Sequence, residues 1–142
     1  MAVTVTSELG QVVSGGPISK LATVTGIDAK TTGATTLYTV PTGVSAVITG
    51  VTIRCTAADT VGGAANYSLG ANSTDFNDFV GINSVVLTLA NTCIDGAWYM
   101  IWAASPASQP VYVAGKVFSI KITTGATATS QALAVDVFGY LI

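Results

Sequence analysis

The sequence contains no histidine and few charged residues: five Lys or Arg and seven Asp or Glu in 142 residues. Charged residues make up 8% of the chain, whereas a typical soluble domain carries about 25%. The absence of histidine excludes His-based acid–base catalysis and zinc sites built on Cys and His. The net charge of −2 argues against nucleic-acid binding, which needs Lys and Arg to neutralise phosphates. We therefore expect no nucleic-acid partner.

Long hydrophobic runs are also missing, although half of the residues are apolar. The best stretch, Ala97–Ala104, has eight residues, whereas a membrane-spanning helix needs about 20. The start of the chain lacks the basic and apolar regions of a secretory signal. We expect no membrane association and folding in a reducing cytoplasm. There, Cys55 and Cys93 would be two small buried thiols, and a bridge between them is the alternative.

Helix signals are nearly absent, because no window sustains apolar residues at i, i+3, i+4 and i+7 for three turns. Short runs of Val, Ile, Thr, Tyr and Phe alternate instead with Gly, Pro, Asn and Asp. The sequence predicts an all-β fold with an extended N-terminal arm over residues 1–16. Residues 17–142 would form a single eight-stranded antiparallel β-sandwich of the jelly-roll type. The predicted strands are Ile18–Thr25, Thr35–Val40, Ser45–Thr56, Ala65–Leu69, Ser84–Leu89, Ala97–Ala103, Val117–Thr124 and Ala132–Leu141, with a further short run at Val111–Val113.

Three local patterns refine this prediction. The turn residues Pro41-Thr42-Gly43 predict a hairpin between the second and third strands. Gly50 lies where the apolar register of the third strand changes, which indicates a bulge or bend. In Ala132–Leu141 one face is apolar and the other has Asp136 as its clearly polar residue. We expect the opposing sheet to cover one face of this strand and another chain to cover the other.

Residues suited to catalysis or metal binding are few. Asp75 and Asp78 lie in the segment Asn72–Asp78, and an oxygen-rich loop of this kind can bind calcium. The spacing differs from that of an EF-hand loop, and Asn/Asp-rich connections are ordinarily turns. We therefore interpret the segment as a turn and keep the cation site as the alternative. No Gly-x-Ser-x-Gly elbow or phosphate-binding loop is present, so we expect no enzyme activity, no catalytic residue, no cofactor and no metal.

Two tryptophans raise a different function. Trp98 and Trp102 share one face of a predicted strand with Met100. Stacked aromatic side chains often form sugar-binding platforms, so a carbohydrate-binding β-sandwich module is an alternative function. We favour packing of both tryptophans in the core, because this strand is apolar on both faces.

Several short motifs resemble a family of viral proteins. Thr36–Gly43 followed by Val47–Val51 is similar to a recurring hairpin pattern in virion proteins of tailed bacteriophages. Gly115–Lys121 and Val135–Ile142 resemble the last two strands of the same group, which includes head decoration (cement) proteins, head fibres and tail proteins. The resemblance covers roughly residues 35–142. It implies a jelly-roll structural protein of the virion, clustered as a trimer or a similar assembly, and it carries over no catalytic residue.

Taken with the low charge, the resemblance predicts a non-enzymatic decoration (cement) protein that binds and stabilises the assembled head. Its partners would be the major capsid protein and copies of itself in a trimer, on the capsid surface of a virion assembled in the bacterial cytoplasm. A tail, adaptor or fibre component that contacts a host receptor is the alternative. The apolar excess in Ala97–Ala103 and Ala132–Ile142 would face other subunits. The arm would bind a neighbouring subunit, and Val3–Thr6 would add a strand to it. The predicted contact residues of the arm are Val3, Thr4, Val5, Thr6, Leu9, Val12 and Val13.

Overall fold

The computed structural model describes residues 18–58, 65–72, 74–79, 87–88, 98–102, 111–127 and 131–142, and at 57–58, 87–88, 98–102 and 131 the backbone alone. The predicted arm over residues 1–16 lies outside this part of the chain. The described residues form nine strands: β1 (Ser19–Asp28), β2 (Gly33–Thr39), β3 (Ala46–Ala58), β4 (Asn66–Gly70), β5 (Leu87–Thr88), β6 (Trp98–Trp102), β7 (Val111–Tyr112), β8 (Val117–Thr124) and β9 (Gln131–Leu141).

The strands form two antiparallel sheets. The larger sheet has the order β1-β9-β3-β6, with β7 paired to the start of β3, and the smaller sheet has the order β2-β8-β4-β5. The all-β, antiparallel prediction is confirmed. The strand count differs from the predicted eight, because seven strands have at least five residues and β5 and β7 have two each; the jelly-roll arrangement stays a prediction. No helix in the described ranges is long and apolar enough to cross a membrane.

Alternating side chains place the core between the two sheets. On β8, Phe118, Ile120 and Ile122 are buried, as expected for one face of a strand with period two. The larger sheet contributes apolar residues of β3 and β9 to the same cluster. Phe79, which follows β4, packs edge-on against Phe118 with the ring centroids 5.3 Å apart. Both sheets therefore share one hydrophobic core.

The turn at Pro41-Thr42-Gly43 does not join a hairpin. It connects β2 of the smaller sheet to β3 of the larger sheet, so the hairpin prediction is wrong. The backbone explains why: Val40 N donates to Lys116 O at 2.9 Å, and Gly115 N donates to Val40 O at 3.0 Å. These bonds hold the end of β2 on the start of β8, while β3 pairs with β9. The predicted bulge at Gly50 is confirmed by a register shift between Ile48 and Gly50.

Residues on both faces of β9 are buried within a single chain. Ala134 and Asp136, on the face away from the core, are 1% and 8% exposed. Side chains of the neighbouring strands contact the Asp136 carboxylate, among them Thr23 of β1 and Arg54 of β3. The expectation that another chain covers this face is therefore wrong for these two residues, because their own chain already buries them.

Cys55 is buried on β3 and is disulfide-bonded. The sequence has one other cysteine, Cys93, which lies outside the described residues. The preference for free buried thiols is therefore wrong at Cys55, and the alternative bridge is favoured. The strand pairing favours a bridge: Arg54, the residue before Cys55, pairs with Trp98, which follows Cys93 by five residues in the sequence.

Candidate functional site

The large hydrophobic side chains that are exposed in the described part of the chain gather at one end of the molecule. This end holds the start of β3, the end of β9, β7 and the start of β8. Ser19 at the start of β1 pairs with Gly139, which brings β1 to the same end. The exposed residues range from 36% to 61% accessible and are Ile18, Val111, Val113, Val117, Leu141 and Ile142. We call these six residues the end surface.

Backbone pairing holds the centre of the end surface. Val47 on β3 pairs with Tyr140 of β9 on one side and with Val111 of β7 on the other. Ser45 and Ile142 exchange two backbone hydrogen bonds, at 2.8 and 2.9 Å. The strand order across this end is therefore β1, β9, β3, β7, and Val111, Leu141 and Ile142 lie on paired backbone.

A cleft of about 280 Å³ opens beside β7. Its volume is close to the lower end of the range usual for small-molecule sites, about 300–1,000 Å³. Two residues of the end surface contribute to its lining, and Lys116 gives it a cation. The lining residues are Ala71, Asn72, Asp78, Val111, Tyr112, Val113 and Lys116.

Tyr112 forms the buried part of this cleft. Its ring packs against Phe118 with the centroids 5.6 Å apart, and its hydroxyl lies 3.5 Å from Asp78 Oδ1. Burial raises the pKa of Tyr112 far above its ordinary value, and the negative charge of Asp78 and their hydrogen bond raise it further. Tyr112 therefore stays a neutral phenol at physiological pH.

The opposite wall of the cleft belongs to residues 71–79, which we call the Asn/Asp loop. Asn77 N donates to Asn72 Oδ1 at 2.7 Å, and Asn72 Nδ2 donates to Asn77 Oδ1 at 2.6 Å. Ala71 N donates to Asp78 Oδ1 at 2.7 Å. In turns, Asn and Asp side chains commonly form hydrogen bonds with nearby backbone groups. These contacts match the turn interpretation of Asp75 and Asp78.

The Asn/Asp loop folds over the outer face of the smaller sheet. Ser68 Oγ donates to Asp75 O at 2.6 Å, and Lys121 Nζ donates to Thr74 O at 2.8 Å. The Asp75 carboxylate lies 3.7 Å from Lys121 Nζ, so its nearest charged neighbour is a cation of the protein. Among the described residues, no three His, Cys, Asp or Glu side chains come together as a metal site would require.

The other predicted site residues are not brought together by the described structure. The arm residues Val3, Thr4, Val5, Thr6, Leu9, Val12 and Val13 lie outside it. Trp98 and Trp102 lie on β6, where their backbones pair with Arg54 and Gly50. Their side chains are outside the described part, so both the core-packing interpretation and carbohydrate binding stay predictions.

Comparison with known proteins places the fold beside phage capsid structures. No protein-family model matches the sequence, and no curated protein is significantly similar to it. The structure is similar to a chain in the acidic stable capsid structure of Helicobacter pylori bacteriophage KHP30, with a TM-score of 0.52 and 16% identity, over 89% of this chain and 95% of that chain. A chain in the cyanophage Pam1 capsid asymmetric unit gives a TM-score of 0.48 and 16% identity, over 96% of each chain. The first likeness establishes a shared fold.

Sequence reasoning found part of the end surface and missed the rest. Leu141 and Ile142 belong to the apolar stretch Ala132–Ile142 that was expected to face other subunits, and both are exposed. Val111 and Val113 are also exposed, but the sequence shows them only as a short apolar run. Their shared location with Ile142 depends on the pairing of β7 with β3, which no local pattern reveals.

Proposed function

We propose that the protein is a non-enzymatic structural protein of a bacteriophage virion, a decoration (cement) protein that binds the assembled head and stabilises it. The observation that carries the proposal is the fold shared with a chain of the KHP30 capsid structure, over 89% of this chain and 95% of that chain. Because the match covers nearly the whole of both chains, the likeness concerns the complete fold and not a single motif. Separately from the fold, the sequence motifs Thr36–Gly43 with Val47–Val51, and Val135–Ile142, resemble those of virion proteins.

The surface chemistry supports a role in assembly. Exposed apolar patches on a soluble protein commonly mark contacts with other proteins, and the end surface is such a patch. The low content of charged residues fits the same role, because the charge that would repel a close neighbour is scarce.

In the proposed mechanism, the β domain over residues 17–142 packs with two other copies on the head surface. The arm over residues 1–16 bridges adjacent subunits of the major capsid protein. A bridge that binds two subunits at once stabilises their contact by the free energy of the second attachment. The virion would be assembled in the bacterial cytoplasm, with this protein on the capsid surface.

Binding to isolated heads tests the proposal. Heads that lack the protein are mixed with the purified full chain and sedimented, and their disruption temperature is measured. We expect saturable binding and a higher disruption temperature. A full chain that leaves heads unbound, or that is recovered only with tails, would contradict the proposal in favour of a tail, adaptor or fibre role.

A variant lacking residues 2–16 tests the arm in the same experiment. We expect weaker retention on heads, because the bridging contact is removed. Thr36→Ala, an exposed change on the smaller sheet, is the matched control and should bind like the unmodified chain. Undiminished binding of the shortened chain would remove the arm from the mechanism while head binding itself stands.

A further inference from the structure

The turn between β7 and β8 presents aliphatic side chains and one cation at the end surface. Residues 113–117 are all exposed. Lys116 N donates to Val113 O at 3.1 Å, and Gly115, with φ +79°, takes the third position of this turn, where a type II turn requires a left-handed residue. The turn therefore places the Lys116 ammonium group between two exposed valines, Val113 and Val117.

Neighbouring strands hold this turn in place. Val40 N donates to Lys116 O at 2.9 Å, and Gly115 N donates to Val40 O at 3.0 Å. Val111, which precedes the turn, pairs with Val47 of β3. A surface that is already ordered loses little conformational entropy when a partner binds. The end surface is therefore preorganised for contact with another protein.

Lys116 gives this surface an unbalanced positive charge. It has no ion-pair partner among the described residues. Asp78, which lines the cleft with Lys116, accepts hydrogen bonds from Ala71 N and the Tyr112 hydroxyl and is engaged within its own chain. Charged groups that meet across an interface are usually of opposite sign. The complement of this surface is therefore a set of aliphatic side chains around a carboxylate.

A second copy of the chain does not offer this complement in its described residues. The large hydrophobic side chains exposed there all belong to the end surface itself, so a second copy would have to present the same face. Two such faces would place two Lys116 cations in one interface, and like charges oppose association. The exposed carboxylates of the described part, Asp28 and Asp75, already lie beside Lys30 and Lys121. The surface therefore fits a different protein.

We propose that the end surface binds the major capsid protein, through a patch of aliphatic side chains on that protein with an Asp or Glu carboxylate at Lys116. The choice of this partner rests on the proposed function. The contact gives the β domain its own attachment to the head, in addition to the attachment proposed for the arm.

Binding of charge variants to heads that lack the protein tests the contact at Lys116. Lys116→Glu should weaken binding of the full chain about tenfold, because an attractive pair becomes repulsive. Lys116→Arg keeps the charge and should bind like the unmodified chain. Lys30→Glu makes the same change of charge beyond the far end of β1 and is the control. Equal binding by Lys116→Glu and Lys30→Glu would overturn the proposal while head binding stands. Failure of the unmodified chain to bind would contradict the proposed function and this partner together.

Photo-cross-linking identifies the protein that covers the end surface. The full chain with Val113→Cys, labelled with a benzophenone maleimide, is bound to heads and illuminated, and the linked peptides are identified by mass spectrometry. We expect links to a peptide of the major capsid protein that contains Asp or Glu. Thr36→Cys, exposed on the smaller sheet, carries the label in the control and should give far fewer of these links. Links mainly to a second copy of this chain, or equal yields from both positions, would overturn the proposal.

Discussion

Arg54 on β3 reaches across to Asp136 on β9: Arg54 Nε donates to Asp136 Oδ2 at 3.2 Å, and Nη2 lies 3.0 Å from the same oxygen. From the other side, Thr23 Oγ1 on β1 donates to Asp136 Oδ1 at 2.6 Å. Lys20 Nζ lies 3.8 Å from that oxygen. One carboxylate therefore joins three adjacent strands of the larger sheet on the face away from the core.

Asp136→Ala should lower the free energy of unfolding by about 1–3 kcal/mol, because it removes hydrogen bonds to a largely buried carboxylate. The Arg54 side chain is 43% exposed, so hydration of its guanidinium group offsets part of the loss. Asp75→Ala is the control, since that carboxylate is mostly exposed and its ion pair with Lys121 should contribute about 0.5 kcal/mol or less. Urea denaturation measures both, and equal losses would refute the role given to Asp136.

Gly70→Ala should destabilise the Asn/Asp loop. A Cβ at residue 70 would overlap Asp78 Oδ1 and lie 2.7 Å from Asp78 N and 2.9 Å from the Phe76 carbonyl carbon. Backbone must then move, which typically costs about 1–3 kcal/mol in a packed site. Gly43→Asn is the control: Gly43 has φ +85° and open space around a Cβ. It should lower the free energy of unfolding less, because Asn tolerates the left-handed region. Similar unfolding midpoints for Gly70→Ala and the unmodified protein would show that the loop does not pack on this glycine.

In the Tyr112→Phe variant, the free energy of unfolding should decrease less as pH rises into the alkaline range than it does in the unmodified protein. Since the folded pKa of Tyr112 is raised by burial and by Asp78, its contribution is complete below the unfolded value near 10. It is lost as pH rises above that value, because only the unfolded chain then ionises. Near neutrality the substitution should change little, as the 3.5 Å contact with Asp78 is a weak hydrogen bond. Urea midpoints from pH 8 to 11 check the prediction, and parallel curves for both proteins would contradict it.

Reduction should weaken the fold. Cys55 is disulfide-bonded in the core, and a bridge that closes a loop of several tens of residues typically contributes about 2–4 kcal/mol. Unfolding with and without a reductant measures this difference, and Cys55→Ser with Cys93→Ser should match the reduced protein. Two titratable thiols in the unreduced, denatured protein would show that no bridge had formed.

Much of the fold could be read from residue patterns. The presence of the strands follows from period-two alternation of apolar residues. The position of the bulge follows from Gly50, which lies where the apolar register changes. The burial of Phe118, Ile120 and Ile122 follows from the same alternation. These features are local, so a single chain segment specifies them.

Features that depend on distant partners could not be read in this way. The segment at Pro41–Gly43 has the residues of a hairpin turn, yet it crosses between sheets because Val40 bonds to Lys116 and Gly115. The burial of Asp136 depends on side chains from two other strands, and the cleft depends on the Asn/Asp loop meeting β7. Non-local pairing decided each of these outcomes.

The most direct test of the central claim is a cryo-EM reconstruction of the intact particle at side-chain resolution. The proposed function predicts density for the β domain at repeated positions over the outer surface of the head, with each end surface in contact with a neighbouring protein. Density for this chain confined to the tail, or its absence from the particle, would contradict a head decoration protein.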